Sequence, residues 1–323
     1  MLTAIYHTAQ LSVYKIEDEE ESPLLNRYII SSADTREICN DPQICGVEYT
    51  RKLQKVCSLL LESLPSFSSL KLIEDHVVVL NTLKNGLNFG LREALADAYG
   101  WNFHKTIYTA QNRELANFLV ETYKPHLLPQ HAQVIIGDII SDSTIIKAEL
   151  NSFLDNAINT GSQIENIVLF VIGGDQLEAT LREIANKCAK QFNFFSGIDV
   201  FYIEGRFVVP DNESSLGIKK NGKDLTRKGA LMTPEFIQSQ YELPFYPLER
   251  CVNYDGDLRA NNISDFIEEV CGYWENVRKE AMEGMSFEDL LKERFPEIDA
   301  TKFGKQNLMS LAEQHITKLK RII

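Results

Sequence analysis

Two turns near the middle of the chain carry residue types that bind phosphate groups. The first turn contains Lys84, Asn85 and Gly86. A lysine supplies a cation for a phosphate, and a glycine lets the backbone approach a ligand closely. The pattern predicts a phosphate contact, with an ordinary strand-to-helix connection and a surface lysine as the alternative.

The second turn places hydroxyl groups ahead of a segment with helical spacing. It contains Ser141, Asp142, Ser143 and Thr144, and it follows the carboxylate of Asp138. Hydroxyls and the first N–H groups of a helix together form a binding site for anions. The alternative is that Ser141, Asp142 or Ser143 simply caps the helix.

Both turns come directly after short apolar segments, at residues 76–80 and 134–140. Continuous apolar runs of this length are typical of strands that are covered on both faces. Residues 104–109, 167–172 and 198–203 are predicted as further strands. Ligands of such sheets bind beyond the carboxyl ends of the strands, which is where both turns lie.

Segments with helical spacing alternate with these strands. Helices are predicted at residues 47–64, 87–99, 112–123, 145–157 and 177–192. The alternation predicts an α/β fold with a mostly parallel central sheet and helices on both faces.

The remaining segments divide the chain into four parts. We expect a mixed hood segment at residues 1–70, the α/β core at 71–210, an irregular cap at 211–260 and a helical extension at 261–323. The extension is predicted to contain helices at residues 263–285, 287–295 and 307–322.

Composition excludes several classes of protein. The chain has 323 residues, of which 44% are hydrophobic and 24% are charged, and these are ordinary values for a globular protein. They exclude a disordered chain, a collagen-like repeat and a coiled-coil rod. The net charge of −13 argues against a surface that neutralises a nucleic-acid backbone, so we expect no nucleic-acid partner.

Targeting signals and metal-ligand spacings are not apparent in the sequence. Residues 1–11 lack the pattern of a secretory signal, and the apolar stretches are far shorter than the ~20 residues of a membrane helix. The six cysteines form no CxxC pair, and the six histidines are dispersed. We therefore expect a cytoplasmic protein with free thiols, no membrane contact and no zinc site built by the protein.

The order and spacing of the two turns resemble the type I phosphoribosyltransferase family. The turn at residues 83–86 resembles the diphosphate loop of that family, and residues 134–144 resemble its signature for ribose and phosphate. Residues 167–174 and 198–203 are compatible with the strands that follow. The resemblance covers roughly residues 70–210.

This resemblance implies that the chain binds phosphoribosyl diphosphate with Mg²⁺ and transfers phosphoribose to or from a base or related acceptor. Lys84 and the amides of Asn85 and Gly86 would hold the diphosphate. Asp138 would hold a ribose hydroxyl and orient the magnesium ion. A homodimer is expected by analogy with the family.

The resemblance also implies roles for the second turn and for a closing loop. The 5-phosphate would lie among Ser141, Ser143 and Thr144, with Asp142 in the same turn. A basic residue on a mobile loop would close over the diphosphate. Lys105 and Arg113 are candidates by position, and solvated surface charges are the alternative.

Three residues depart from the family pattern. Gly137 replaces the first of two adjacent acids, Asn85 replaces a glycine, and Asp142 stands in the phosphate turn. A carboxylate repels a phosphate dianion unless it points away. Three hypotheses follow: an enzyme, a non-catalytic member of the fold that senses a nucleotide or regulates a partner, and an unrelated α/β domain.

Two further basic features have open interpretations. Arg206 either contacts an acceptor or a phosphate, or forms a surface ion pair. A basic cluster in an otherwise acidic chain either contacts an anionic partner or is a solvated loop. Its members are Lys219, Lys220, Lys223, Arg227 and Lys228.

Overall fold

The computed structural model describes the chain except for residues 18–21, 83–85, 113–118, 124–127, 142, 210–224 and 251–261, and except for the side chains of residues 110–112 and 119–123. Its described residues contain ten strands in one sheet. The strands are β1 (Leu2–His7), β2 (Ser12–Ile16), β3 (Leu25–Ser31), β4 (Val77–Thr82), β5 (Lys105–Asn112), β6 (Leu119–Tyr123), β7 (His131–Ile140), β8 (Gln163–Gly174), β9 (Ile198–Val208) and β10 (Thr226–Met232).

The sheet is mixed, and six neighbouring strands in it are parallel. Its order is β1-β2-β3-β9-β8-β7-β4-β5-β6, and β10 pairs with the end of β9. The strands from β3 across to β5 run parallel. Antiparallel pairs are formed at the two edges and between β9 and β10.

Helices cover both faces of this sheet. They are α1 (Ala33–Asn40), α2 (Gly46–Ser63), α3 (Leu91–Tyr99), α4 (Ser143–Thr160), α5 (Gln176–Gln191), α6 (Pro234–Ser239), α7 (Ile263–Met282), α8 (Phe287–Arg294) and α9 (Leu308–Leu319). The helices α4 and α5 lie on one face, and α2, α3 and α7 to α9 contribute to the core on the other. The predicted α/β class, with a mostly parallel sheet, is therefore confirmed.

Alternation along the strands explains the two cores. Val79 and Ile135 point to the α2 and α3 face, whereas Leu80 and Ile136 point to the α4 and α5 face. Because both faces are covered, β4 and β7 are apolar at successive positions, which made them recognisable in the sequence. Among the described helices, none combines the length and apolar character that a membrane crossing requires.

The predicted helix at residues 112–123 is wrong. Its end forms β6, which pairs antiparallel with β5 and sets Tyr108 opposite Tyr123. The hairpin supplies hydrogen-bond partners to β5, which would otherwise be the unpaired edge of the sheet. The strand also contains Val120 and Thr122, which are β-branched and favour extended backbone.

The first three strands continue the sheet instead of standing apart from it. β3 pairs in parallel with β9, so that Ile29 lies beside Tyr202. These strands therefore lie on the far side of β9 and β8 from β4 and β7. The expected irregular character of residues 211–260 also changes, because β10 and α6 form within them. The pairing of β10 with β9 is irregular, because its register shifts between Thr226 and Leu231.

A buried acid marks the point where β9 changes its neighbour. Glu204 has a φ of 62°, which is rare for a residue with a side chain, and it is fully buried. Its carboxylate accepts hydrogen bonds from the Ser32 N–H at 3.2 Å and the Thr233 hydroxyl at 3.0 Å, as well as from the Thr35 hydroxyl. It thereby joins the start of α1 to the start of α6.

A second buried acid connects the C-terminal helices. Glu249 accepts hydrogen bonds from Trp274 Nε1 at 3.0 Å and from the Arg250 N–H at 2.8 Å. His315 Nε2 lies 3.0 Å from the same carboxylate. The predicted helices that begin at residues 263, 287 and 307 are confirmed as α7, α8 and α9, which begin within one residue of those positions.

Candidate functional site

The strand order reverses between β4 and β7. From β4 the chain continues to β5 on one side, whereas from β7 it continues to β8 on the other. A crevice forms at such a topological switch point, beyond the carboxyl ends of the two strands, and ligands of open α/β sheets bind there. The two turns singled out in the sequence follow β4 and β7, and their described residues Gly86 and Ser141 come after the carboxyl ends of these strands.

Three polar side chains form a row at the carboxyl ends of adjacent strands. Thr109 of β5 pairs with Thr82 of β4. Leu80 pairs with Ile136, and Asp138 follows two residues later on β7, which puts it in line with Thr82 and on the same face. All three are buried, with exposures of 0% for Thr109, 3% for Thr82 and 6% for Asp138.

The polar row differs in how its members are hydrogen-bonded. Thr82 Oγ1 accepts from the Gly86 N–H at 3.1 Å, and the Asp138 carboxylate accepts from the Ile139 N–H at 2.7 Å. The Thr109 hydroxyl has no hydrogen-bond partner in the part of the chain that the structure describes. A buried polar group left without a partner costs about 1–3 kcal/mol, so such groups are found where a ligand or water completes the bonding.

Gly86 permits a close approach between the two strand ends. A Cβ atom at this position would lie 2.7 Å from Thr82 Oγ1 and 3.0 Å from the carbonyl oxygen of Gly137. No side chain fits in that space. The glycine predicted for close approach to a ligand is therefore required first for the approach of β4 to β7.

Gly137 is a close-packing position as well. A Cβ atom there would lie 2.4 Å from Cγ of Phe89. Phe89 is fully buried and belongs to a short 3-10 helix at Gly86–Phe89. The aromatic ring thus fills the space that any side chain at position 137 would require.

The second turn meets the start of a long helix. Ser143 is the first residue of α4, which runs for 18 residues from the carboxyl end of β7. Ser141 and Ser143 are half-buried, and Thr144 is exposed. The first N–H groups of α4 and these hydroxyls lie at the same edge as the polar row, which suits an anion. Asp142 lies outside the described residues.

Other predicted site residues are not brought to the crevice or lie outside the description. Lys105 is the first residue of β5 and lies beside Val78, whereas Thr109 lies at the other end of the strand. The two residues are four positions apart along the strand, which is about 13 Å. The structure therefore does not bring Lys105 to the two turns, because Lys105 lies at the amino end of β5 and the turns follow the carboxyl ends of β4 and β7. Lys84, Asn85 and Arg113 lie outside the described residues.

One member of the basic cluster, Arg227, lies in the protein interior. Arg227 is buried, and its Nη2 donates to the Cys39 carbonyl at 3.0 Å. Lys228 is exposed, and Lys219, Lys220 and Lys223 lie outside the described residues. Arg206 forms an ion pair with Glu178 at 2.7 Å, as one of its two interpretations expected.

Thr109 is a candidate that the sequence did not reveal. It stands at the end of a strand with no recognisable motif around it, and its relation to Thr82 depends on strand pairing. Within the described residues, no group of three or more His, Cys, Asp or Glu side chains is arranged to hold a metal ion.

Comparisons with known proteins give little further information. No protein-family model matches the chain, and no curated protein matches it. Twenty chains of solved structures match. One is an orotate phosphoribosyltransferase of Francisella tularensis, with 13% identity and a TM-score of 0.28. The match covers 47% of this chain and 65% of that enzyme, which is just under two thirds of its length. A similarity with this TM-score gives no argument about function.

Proposed function

We propose that the crevice between the ends of β4 and β7 binds phosphoribosyl diphosphate with Mg²⁺ and that the protein transfers phosphoribose to or from a base or related acceptor. One observation carries the proposal. Two segments with phosphate-binding residue types, separated by about 55 residues in the sequence, follow β4 and β7, the neighbouring strands at the topological switch point of the sheet. Their order resembles that of the phosphoribosyltransferase loops.

Each end of the ligand would meet a different part of the crevice. The Gly86 turn, with Lys84, would hold the diphosphate through its cation and backbone N–H groups. The start of α4, with Ser143 and Thr144, would hold the 5-phosphate. Such fixed donors stabilise the charge that develops on the diphosphate as its bond to the anomeric carbon breaks.

The polar row would lie under the ribose. Asp138 would accept a hydrogen bond from a ribose hydroxyl, and Thr109 would gain the partner that it lacks in the described residues. Because Asp138 and Thr82 are each already hydrogen-bonded to backbone, their side chains are held in place before a ligand binds. Less conformational freedom is then lost on binding.

The donors present fit a magnesium ion that is held mainly by its ligand. Magnesium is commonly bound through one or two carboxylates together with substrate phosphates and water. Asp138 supplies one carboxylate at the crevice. A bound magnesium ion would neutralise charge on the departing diphosphate.

A second function, nucleotide binding without transfer, is favoured by Phe89. Its ring fills the space over Gly137 in which the family has an acid. With one carboxylate in place of two, a ribose would be held by fewer hydrogen bonds. Binding of a nucleotide would survive this change, whereas the precise positioning that transfer requires would not.

Calorimetric titration tests the shared part of both functions. Phosphoribosyl diphosphate and AMP should each bind, and Mg²⁺ should strengthen binding of the diphosphate. Asp138→Asn and Lys84→Ala should weaken binding of phosphoribosyl diphosphate about tenfold or more, because each removes a charged contact. If wild-type protein binds neither compound, both proposed functions are wrong.

Thr109→Val provides a sharper test of the crevice. It should weaken binding several-fold while leaving the melting temperature unchanged or higher, because the hydroxyl that is lost has no partner. Thr226→Val is the matched control, since that buried strand hydroxyl donates to the Val208 carbonyl at 3.2 Å, away from the crevice. It should lower stability and leave affinity unchanged.

Turnover separates the two functions. Wild-type protein is mixed with phosphoribosyl diphosphate, Mg²⁺ and a panel of purine and pyrimidine bases, and release of diphosphate is measured. Release that depends on a base and is lost in Asp138→Asn supports transfer. Binding without release supports the non-catalytic function.

A further inference from the structure

Three arginines from three elements converge on one carboxylate, that of Glu178 in the first turn of α5. Arg27 of β3 lies 2.9 Å from Glu178 Oε2, and Arg182 of α5 lies 3.2 Å from the same atom. Arg206 of β9 lies 2.7 Å from Oε1. We refer to these three arginines with Glu178 as the arginine cluster.

The cluster has a buried floor and an accessible rim. The side chains of Arg27 and Glu178 are 3% and 5% exposed, whereas those of Arg182 and Arg206 are 28% and 23% exposed. Each arginine makes further interactions in the structure. Glu178 fixes the orientation of the three guanidinium groups through charge-assisted hydrogen bonds.

Tyr202 places a buried hydroxyl on the same face of the sheet as Arg27. Tyr202 of β9 is fully buried, and its hydroxyl has no hydrogen-bond partner among the described residues. Tyr202 pairs with Ile29, which is two residues beyond Arg27 on the same face of β3. Burial raises the pKa of Tyr202, Glu178 raises it further, and Arg206 and Arg27 oppose the rise.

The cluster lies toward the carboxyl ends of the parallel strands, as the crevice does, but beside β9 and not beside β7. Arg206 pairs with Gly173 of β8, and Gly173 pairs with Ile140 at the end of β7. Two strand spacings, roughly 10 Å, therefore separate it from β7. The cluster lies on the α5 face, at the start of a helix of 16 residues.

We propose that the arginine cluster binds a phosphate group, either as free phosphate or as part of a phosphate monoester. Arg182 and Arg206 would hold it at the rim, since guanidinium groups bind phosphate oxygens in pairs. The first N–H groups of α5 would add to the attraction for phosphate. The exposed carboxylate of Asp175 would oppose this attraction in part. Tyr202 would donate to the same phosphate. The proposal does not depend on the function of the crevice.

Titration of inorganic phosphate into the full chain tests the proposal. The buffer contains chloride at matched ionic strength. AMP is titrated separately into wild type and into Arg206→Gln, and only the binding lost in the variant is assigned to the cluster, because AMP is also expected to bind at the crevice. Arg206→Gln and Arg182→Gln should each weaken phosphate binding at least tenfold. Arg278→Gln, which removes an exposed arginine of α7, is the control and should leave binding unchanged.

Tyr202→Phe distinguishes a ligand site from a structural ion-pair cluster. The variant should weaken phosphate binding several-fold and yet melt at the same or a higher temperature in phosphate-free buffer. Absence of phosphate binding beyond that of chloride, or equal affinity in wild type and Arg206→Gln, would overturn the proposal. Thr109→Val separates the sites, because it should leave phosphate binding at the cluster unchanged.

Discussion

The steric conflict between position 137 and Phe89 gives a quantitative prediction. In Gly137→Ala, the new Cβ atom would lie 2.4, 2.6 and 2.8 Å from Cγ, Cβ and Cδ1 of Phe89. Non-bonded carbon atoms are normally about 3.5–4.0 Å apart, so all three contacts overlap by about 1 Å. Phe89 is fully buried, and its ring has no solvent to move into.

The clash should outweigh the benefit of removing a glycine. Overpacking a core costs about 1–3 kcal/mol, whereas replacing a strand glycine by alanine gains about 0.5–1 kcal/mol through backbone entropy. Gly137→Ala should therefore lower the free energy of unfolding by about 1–2 kcal/mol. Gly272→Ala is the matched control, because a Cβ there meets nothing within 4 Å and the helix α7 should become more stable.

A double-mutant cycle assigns the cost to one contact. Phe89→Gly removes the buried ring together with the Cβ atom that lies 2.6 Å from the new methyl group, and by itself it should cost at least about 3–5 kcal/mol. In that background, Gly137→Ala should be neutral or stabilising, which gives a coupling of about 1–3 kcal/mol between the two positions. Urea unfolding, followed by tryptophan fluorescence and circular dichroism, measures each term. If Gly137→Ala is as stable as the wild type, Phe89 does not fill this space, and an acid at position 137 is not sterically excluded.

Three other residues give predictions with different readouts. Burial raises the pKa of Glu204 to about 7 from 4.5. Because the folded-state pKa is the higher one, this residue's contribution to stability is fully present below about pH 4.5 and is lost as pH rises through 7. This contribution to the free energy of unfolding is about 3 kcal/mol, since each unit of difference between the folded and unfolded pKa corresponds to about 1.36 kcal/mol. The melting temperature should therefore fall between pH 5 and 8 by less in Glu204→Gln than in wild type, and an equal fall would contradict the burial argument. Glu249→Gln should destabilise the protein by about 2–4 kcal/mol in urea unfolding, since it sets an amide NH₂ among donors that now share a carboxylate; a neutral substitution would show that the network is dispensable. Lys105→Ala should leave the affinity for phosphoribosyl diphosphate within twofold of wild type by calorimetry, because Lys105 lies at the amino end of β5, away from Thr109. A tenfold loss of affinity would refute this placement of the ligand.

The sequence predicted the elements whose pattern of burial is regular along the chain. β4 and β7 are buried on both faces, so their apolar runs indicate strands without any tertiary information. The helix α2 was likewise predicted, because Leu53, Val56 and Leu60 recur at helical spacing and all three are buried.

The predictions failed where pairing decides the structure. β6 forms a strand because β5 needs a partner, and local periodicity does not contain that requirement. The place of β3 beside β9 depends on residues far apart in the chain. Helical spacing at residues 112–123 was therefore misleading.

The candidate site was predicted in part for the same reason. The alternation of elements indicated a parallel sheet with both turns after its strands, whereas the order of the strands is known only from the structure. Thr109 and the convergence of Arg27 and Arg206 on Glu178 are contacts between distant segments. The packing of Phe89 on Gly137 is likewise visible only when the side chains are placed in space.

The pairing of β3 with β9 also constrains how the chain can be synthesised. The hydrogen bond from Asn26 to Asp199 joins residues 173 positions apart. During translation, the first three strands must therefore wait, with the edge of β3 unpaired, until β9 has left the ribosome. Exposed strand edges recruit other chains, and flanking charges oppose this. Five consecutive acidic residues, at 17–21, end three residues before β3, where their charges would oppose such recruitment during that interval.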